Sequence, residues 1–194
     1  YYISTVAGNG TIGSGGDGGP ATSAQLYSPM GIAVDPAGDL YISERNNSTL
    51  RKVDASGTIS TITGLNPLMY WQEGIVFDDS GNLYIANTGR HTILKRTPSG
   101  TVSVVAGSLG SQGYSGDGGP ATSALLDIPT AVALDEDGNL YFSDSNNHVV
   151  RRVDKLTGTI STVAGNGSSG YSGDGGSALD AKILNPQGLA FDGT

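Results

Sequence analysis

The sequence predicts an all-β fold, a β-propeller of four-stranded blades, and three observations carry that expectation. First, four apolar segments repeat: Pro29-Met-Gly-Ile-Ala-Val-Asp35, Gln72-Glu-Gly-Ile-Val-Phe-Asp78, Pro129-Thr-Ala-Val-Ala-Leu-Asp135 and Pro186-Gln-Gly-Leu-Ala-Phe-Asp192. Their third positions, Gly31, Gly74, Ala131 and Gly188, are spaced 43, 57 and 57 residues apart. Second, each unit divides into short runs of β-branched and aromatic residues separated by Asp- and Gly-bearing turns. Third, no window of ten residues keeps a helical period free of Gly or Pro, so long helices are not expected.

Each element follows from this pattern. In the first unit Ile32-Ala-Val34 is an inner strand, and Asp35-Pro-Ala-Gly38-Asp39 turns the chain into Leu40-Tyr41-Ile42-Ser43. The polar stretch Glu44-Arg-Asn-Asn47 leads to Leu50-Arg-Lys-Val53, and Asp54-Ala-Ser-Gly57 leads to Thr58-Ile-Ser-Thr-Ile62. The first strand is small and apolar, as a crowded axis requires. The third carries Arg51-Lys52, Lys95-Arg96 or Arg151-Arg152, and the fourth alternates, as an outer strand with one wet face does. The expected blades span residues 29–64, 72–107 and 128–165. Residues 2–8 match a fourth strand and residues 186–192 a first strand, so the propeller segment runs over residues 1–194.

Composition narrows the chemistry. The 194 residues include 31 Gly and carry a net charge of −8. With no Cys, disulfides, thiolate metal sites and a Cys nucleophile are excluded. The acidic balance leaves no basic stripe to displace counterions from a phosphate backbone, so nucleic acid is not an expected partner. No run of 18 apolar residues exists, so no membrane-spanning helix is expected. Low Lys, abundant Ser, Thr and Gly and the acidic balance point to an extracellular or cell-surface setting.

The turn into each third strand reads Asn47-Ser48-Thr49-Leu50, Arg90-His91-Thr92-Ile93 and Asn147-His148-Val149-Val150. In the second and third units, Gly-Asn-Leu-Tyr precedes the turn, and basic residues follow it in all three. This pattern resembles the NHL repeat over nearly the whole chain. The first unit departs by placing Ser48 where the others have His. The resemblance implies a β-propeller, commonly six-bladed. Three full blades plus flanking strands are then part of a larger ring, because three blades are too few to close. The remainder is expected either from further chain or from another copy pairing through open blade edges.

Candidate chemistry concentrates in the links between blades. Three are rich in glycine and hold Asp17, Asp117 and Asp174, each followed by Gly-Gly. All links leaving a fourth strand are expected on one face, around the channel mouth, where loops carry function. Aspartate among glycines can offer oxygens to a hard cation, and Ca²⁺ is the one cofactor candidate; otherwise none is expected. The structural alternative is that the carboxylates bond backbone amides and that Pro-Ala-Thr-Ser-Ala starts a helical turn. The recurrence of near-identical loops favours scaffolding. The link between the first two blades differs: Leu65-Asn-Pro67-Leu-Met69-Tyr70-Trp71 holds the only Trp. Tyr70 and Trp71 could stack on a sugar or grip a peptide, or instead fill space left by the shorter link.

His91 and His148 share one repeat position, which reads as packing before catalysis. Asp35, Asp78, Asp135 and Asp192 read as turn formers. The inner-strand residues Gly31, Gly74, Ala131 and Gly188 offer no metal ligands, and no nucleophile elbow, phosphate-binding loop or His-Glu-x-x-His is present. No catalytic or metal residues are assigned. The expected function is a non-catalytic binding or scaffold module presenting a Gly/Asp-rich loop face to a protein or glycan. One alternative is a surface or assembly component pairing through open edges. Another is a propeller lyase or hydrolase with an axial metal.

Overall fold

The computed structural model describes residues 2–65 and 68–191. Twelve strands form three antiparallel sheets of four, each in sequence order. The first sheet holds β1 (Pro29–Val34), β2 (Leu40–Glu44), β3 (Thr49–Val53) and β4 (Ile59–Ile62). The second holds β5 (Gln72–Phe77), β6 (Leu83–Asn87), β7 (Thr92–Arg96) and β8 (Val102–Ala106). The third holds β9 (Pro129–Leu134), β10 (Leu140–Asp144), β11 (Val149–Val153) and β12 (Ile160–Ala164). The first strands lie side by side, β1 against β5 and β5 against β9, so each sheet is a blade with its first strand innermost.

The small residues of the inner strands set that approach. A methyl group on Gly31 would run into the Glu73 carbonyl, and one on Gly74 would come within 2.8 Å of Ala131 Cα. Hydroxyls then fasten neighbouring blades: Ser43 Oγ donates to the Glu73 carbonyl, Thr88 Oγ1 to Pro129 and Ser145 Oγ to Pro186. From the first and third blades, Tyr41 packs edge-on against Phe77 and Tyr141 against Phe191, both at 4.8 Å between ring centroids.

Two of the three core clusters lie between blades, and the third packs Ile42, Val53 and Ile59 of the first blade against Ala21 and Ala24 of its own link. Tyr41 and Leu50 of the first blade share a cluster with Ile75, Leu83, Ile85 and Leu94 of the second. Ala86 and Ile93 of the second share another with Val132, Leu140 and Phe142 of the third. A blade alone could not bury its faces.

The Asp turns are as expected. Asp35 Oδ1 accepts from the amides of Ala37 and Asp39, Asp78 Oδ1 from those of Ser80 and Asn82, and Asp135 Oδ1 from Asn139. Asp192 lies outside the described residues. The flanking segments depart from expectation, because residues 2–8 and the described residues of 186–192 join no sheet. A strand is defined by its ladder partner, and among the described residues none adjoins either segment. The expected helical turns are single 3₁₀ turns, Ala21–Ser23 and Ala121–Ser123, with no side-chain cap.

Candidate functional site

Two of the glycine-rich links fold back onto the outer strand of the blade that follows. Gly18 N–H donates to the Ile59 carbonyl and Ile59 N–H to Gly19; Gly118 and Ile160 repeat the first bond, and Ile160 N–H donates to Gly119. Asp17 thereby meets the fully buried Arg51, whose Nη2 donates to Asp17 Oδ1 at 2.7 Å and whose Nη1 donates to the Gln25 carbonyl. Glu44, buried at the end of β2, sits 3.4 Å from Arg51 Nη1 and also accepts from Tyr27 N–H, Asn47 and Thr49. The third blade repeats the arrangement with Asp117, Arg151 and Asp144. Burial opposes ionisation of Asp17 and Asp117, but donation from Thr61 and Arg51, or from Thr162 and Arg151, holds both carboxyls below their ordinary range. Burial wins at Asp144, which is pushed up to about 6 despite donation from Asp127 N–H, Asn147 and Arg151. Asp174 accepts instead from Tyr171 Oη, within its own link.

The second blade dispenses with the whole device. Its arginine position is Leu94, its carboxylate position is Asn87, and its link has no glycine-flanked Asp. Leu65 and Met69 of that link pack on Leu94, and Asn87 accepts from Tyr70 N–H and donates to the Leu68 carbonyl. All three charged members change together.

The histidines act as latches between blades. Each sits in a left-handed backbone conformation after a 3₁₀ turn, His91 at φ 56° and His148 at φ 56°. His91 Nδ1 accepts from Ile128 N–H and His148 Nδ1 from Asn185 N–H. In the first turn Ser48 Oγ accepts from Trp71 N–H. The three donating residues, Trp71, Ile128 and Asn185, all have positive φ, and the first two immediately precede β5 and β9. Among the described residues, no three His, Asp or Glu side chains converge as a metal site requires.

Link residues Tyr70 and Trp71 have a different fate from Leu65 and Met69. The aliphatic pair is buried, whereas Tyr70 is 43% and Trp71 37% exposed. The two rings stack, with centroids 5.0 Å apart and planes 14° apart. Arg45 lies over the Trp71 ring at 5.0 Å and Arg90 over the Tyr70 ring at 5.8 Å. Tyr70 rests on Gly89, where a methyl group would collide with the ring. Arg45 also reaches Glu73 at 3.4 Å; burial raises the Glu73 carboxyl above its ordinary value, and Arg45 opposes the rise. The strip thus spans the β2–β3 turn of one blade and the β6–β7 turn of the next, on the face where inner strands begin. The residue pattern flagged Tyr70 and Trp71. It missed Arg45, Arg90 and Glu73, whose signal was departure from the repeat: Thr88 and Ser145 align with Arg45, and Asn47 and Asn147 with Arg90.

Three blades with abutting inner strands and cores shared between them define a β-propeller. The chain belongs to the NHL-repeat β-propeller family: residues 9–74 match the Teneurin NHL domain model. Teneurin-4 of Mus musculus is 31% identical over 209 residues, covering 90% of this chain and 8% of its own length. Teneurin-3 of Danio rerio is 51% identical over 53 residues, 27% of this chain and 2% of its own. The chain therefore spans under a tenth of these relatives. Among solved structures, a Bacteroides thetaiotaomicron structural genomics protein of unknown function superposes with a TM-score of 0.71 at 25% identity, over 84% of this chain and 42% of that one. An auxiliary nutrient binding protein from Bacteroides ovatus superposes with a TM-score of 0.69 at 24% identity, over 87% and 44%.

Proposed function

We propose that this chain is a non-catalytic binding or scaffold module whose contact site is the face bearing Tyr70 and Trp71. One observation carries the reading: a single link buries its aliphatic side chains and leaves its two large aromatics outside, in a fixed stack. Exposed Trp and Tyr in an ordered arrangement mark binding surfaces more often than leftover packing. Asp17 and Asp117 serve this reading less well, since their carboxylates are engaged by buried arginines. Among the described residues no arginine pairs with Asp174, which remains a candidate contact in the Gly/Asp-rich loops. The test is a screen of the chain against immobilised protein ectodomains and glycans, repeated with Y70A/W71A and with Asp174→Ala. Loss with the aromatic double variant alone supports the reading. Loss with D174A alone moves the site to the loop.

A second reading, self-association through blade edges, has its own support. Ile32 on β1 is 71% exposed and Val34 59%, an apolar strip on an inner strand. Sedimentation of the chain with and without I32K distinguishes it: a concentration-dependent dimer abolished by the substitution supports pairing. The teneurins are cell-surface proteins, and we place this chain outside the cell or at its surface by that relationship. Finding the native protein in the cytosolic fraction of its source would overturn that placement.

A further inference from the structure

We infer that the Arg45–Trp71–Tyr70–Arg90 strip docks an acidic segment of a protein partner, recognising it through carboxylates. The inference rests on the binding-module reading above and names the chemistry of the partner. The strip is rich in donors and poor in acceptors. Among the described residues, Arg90 is exposed and has no carboxylate within ion-pair reach. Neither the Trp71 indole N–H nor Tyr70 Oη has a hydrogen-bond partner there; the bonds these residues make are through their main-chain amides. The one carboxylate in the strip, Glu73, is buried and already faces Arg45. Elsewhere Arg51, Lys52, Arg151 and Arg152 each pair with a carboxylate of the chain itself. Arg90 thus places a guanidinium with no carboxylate of the chain facing it beside Arg45, which faces only the buried Glu73, so the strip carries local positive charge in a molecule of net charge −8.

The geometry also separates peptide from sugar. A hexose is gripped by an open aromatic face, but here each ring has the other ring on one side and an arginine over it. Stacking a sugar would require displacing a guanidinium group. What remains accessible is the ring edges and the guanidinium forks, which match carboxylate oxygens. The rings hold the guanidinium planes in place, so little side-chain freedom is lost when an anion arrives. Trp, Tyr and Arg are also the residues that dominate protein–protein contact energies. Tyr27, 36% exposed, and Met30, 52% exposed, border the same end of the first blade and supply apolar surface for a peptide backbone.

Trp71 is the single tryptophan, so its emission reports this site alone. The full 194-residue chain is titrated with acetylated, amidated hexaglutamate, and separately with hexaglutamine, hexalysine and trigalacturonate. The expected result is a saturable change in Trp71 emission with hexaglutamate only, weakening by about tenfold between low and high salt. Arg90→Ala should weaken it by roughly fivefold to tenfold, with Arg90→Lys recovering part of the loss. Gly89→Ala, which crowds both the Tyr70 ring and its main-chain carbonyl, should also weaken it. A response to trigalacturonate alone overturns the peptide assignment in favour of an acidic glycan. A response to hexaglutamine or hexalysine equal to that of hexaglutamate overturns the anionic assignment but leaves a binding face. No response to any probe overturns this inference, and screen hits that persist in Y70A/W71A overturn the reading beneath it.

Discussion

At the scale of single residues, an imidazole nitrogen here does the work of a backbone acceptor. Ile128 enters β9 at φ 53°, a conformation a β-branched residue adopts only at a cost, and the bond from its N–H to His91 Nδ1 helps hold it there. His91→Ala should remove that acceptor and destabilise the fold by about 1–2 kcal/mol. His91→Asn should lose less, because Asn tolerates the left-handed region and keeps an acceptor. Thermal melting of the two variants checks the order. The repeated position of the histidines was legible in the sequence, and so was its structural character. Its partner was not, because the bond reaches 37 residues along the chain to a residue with no distinctive signature.

At the scale of elements, link, second strand and third strand form one charged unit in two blades and an apolar one in the middle blade. Removing the arginine alone should be costly, since it strands a buried carboxylate. Arg151→Leu is expected to destabilise by about 3–5 kcal/mol, and R151L/D144N/D117S to recover a substantial part of that, measured by denaturant melts. The pH dependence has a definite sign. The Asp144 carboxyl ionises near 6 in the fold against about 4 unfolded, so its contribution is fully present below pH ~4 and is lost as pH rises through 6. The stability of Asp144→Asn relative to the parent should therefore improve between pH 4 and 7; a flat difference would contradict the assignment. Asp17 and Asp117 run the other way, their support present above pH ~4 and lost as pH falls through their depressed values. The turn-forming role of Asp35, Asp78 and Asp135 could be read from sequence because the bonds are local. The clamp could have been inferred only by noticing that Asp117, Asp144 and Arg151 are replaced together in the middle repeat.

At the scale of the whole molecule, two of the three core clusters lie in the seams between blades. Equivalent positions show this directly: Ile75 and Val132 are each 7% exposed, whereas Ile32 is 71% exposed. Ile75→Lys and Val132→Lys should each cost about 3 kcal/mol or more by placing a charge in a seam. Ile32→Lys should leave the melting temperature almost unchanged. Repeat spacing and turn chemistry made the four-stranded blade pattern readable in advance. The location of the glycine-rich links was not readable, because spacing says where a link starts and ends but not which strand edge it lies along. The same gap hid Arg45 and Arg90, which belong to turns of different blades and meet only through the ring stack between them.

The direction of the clamps has a consequence for how the chain is made. Asp17 precedes Arg51, and Asp117 precedes Arg151, by 34 residues each, so during synthesis the carboxylate always emerges first. His91 likewise emerges ahead of Ile128. Each newly made link must wait on the ribosome until the third strand of the next blade appears and closes it. Rich in glycine, serine and threonine, and poorer in large apolar side chains than the strands they precede, these links can wait in water with little to draw them together. A pause in translation just before β3 or β11 would leave a soluble, unclasped intermediate rather than an aggregating one.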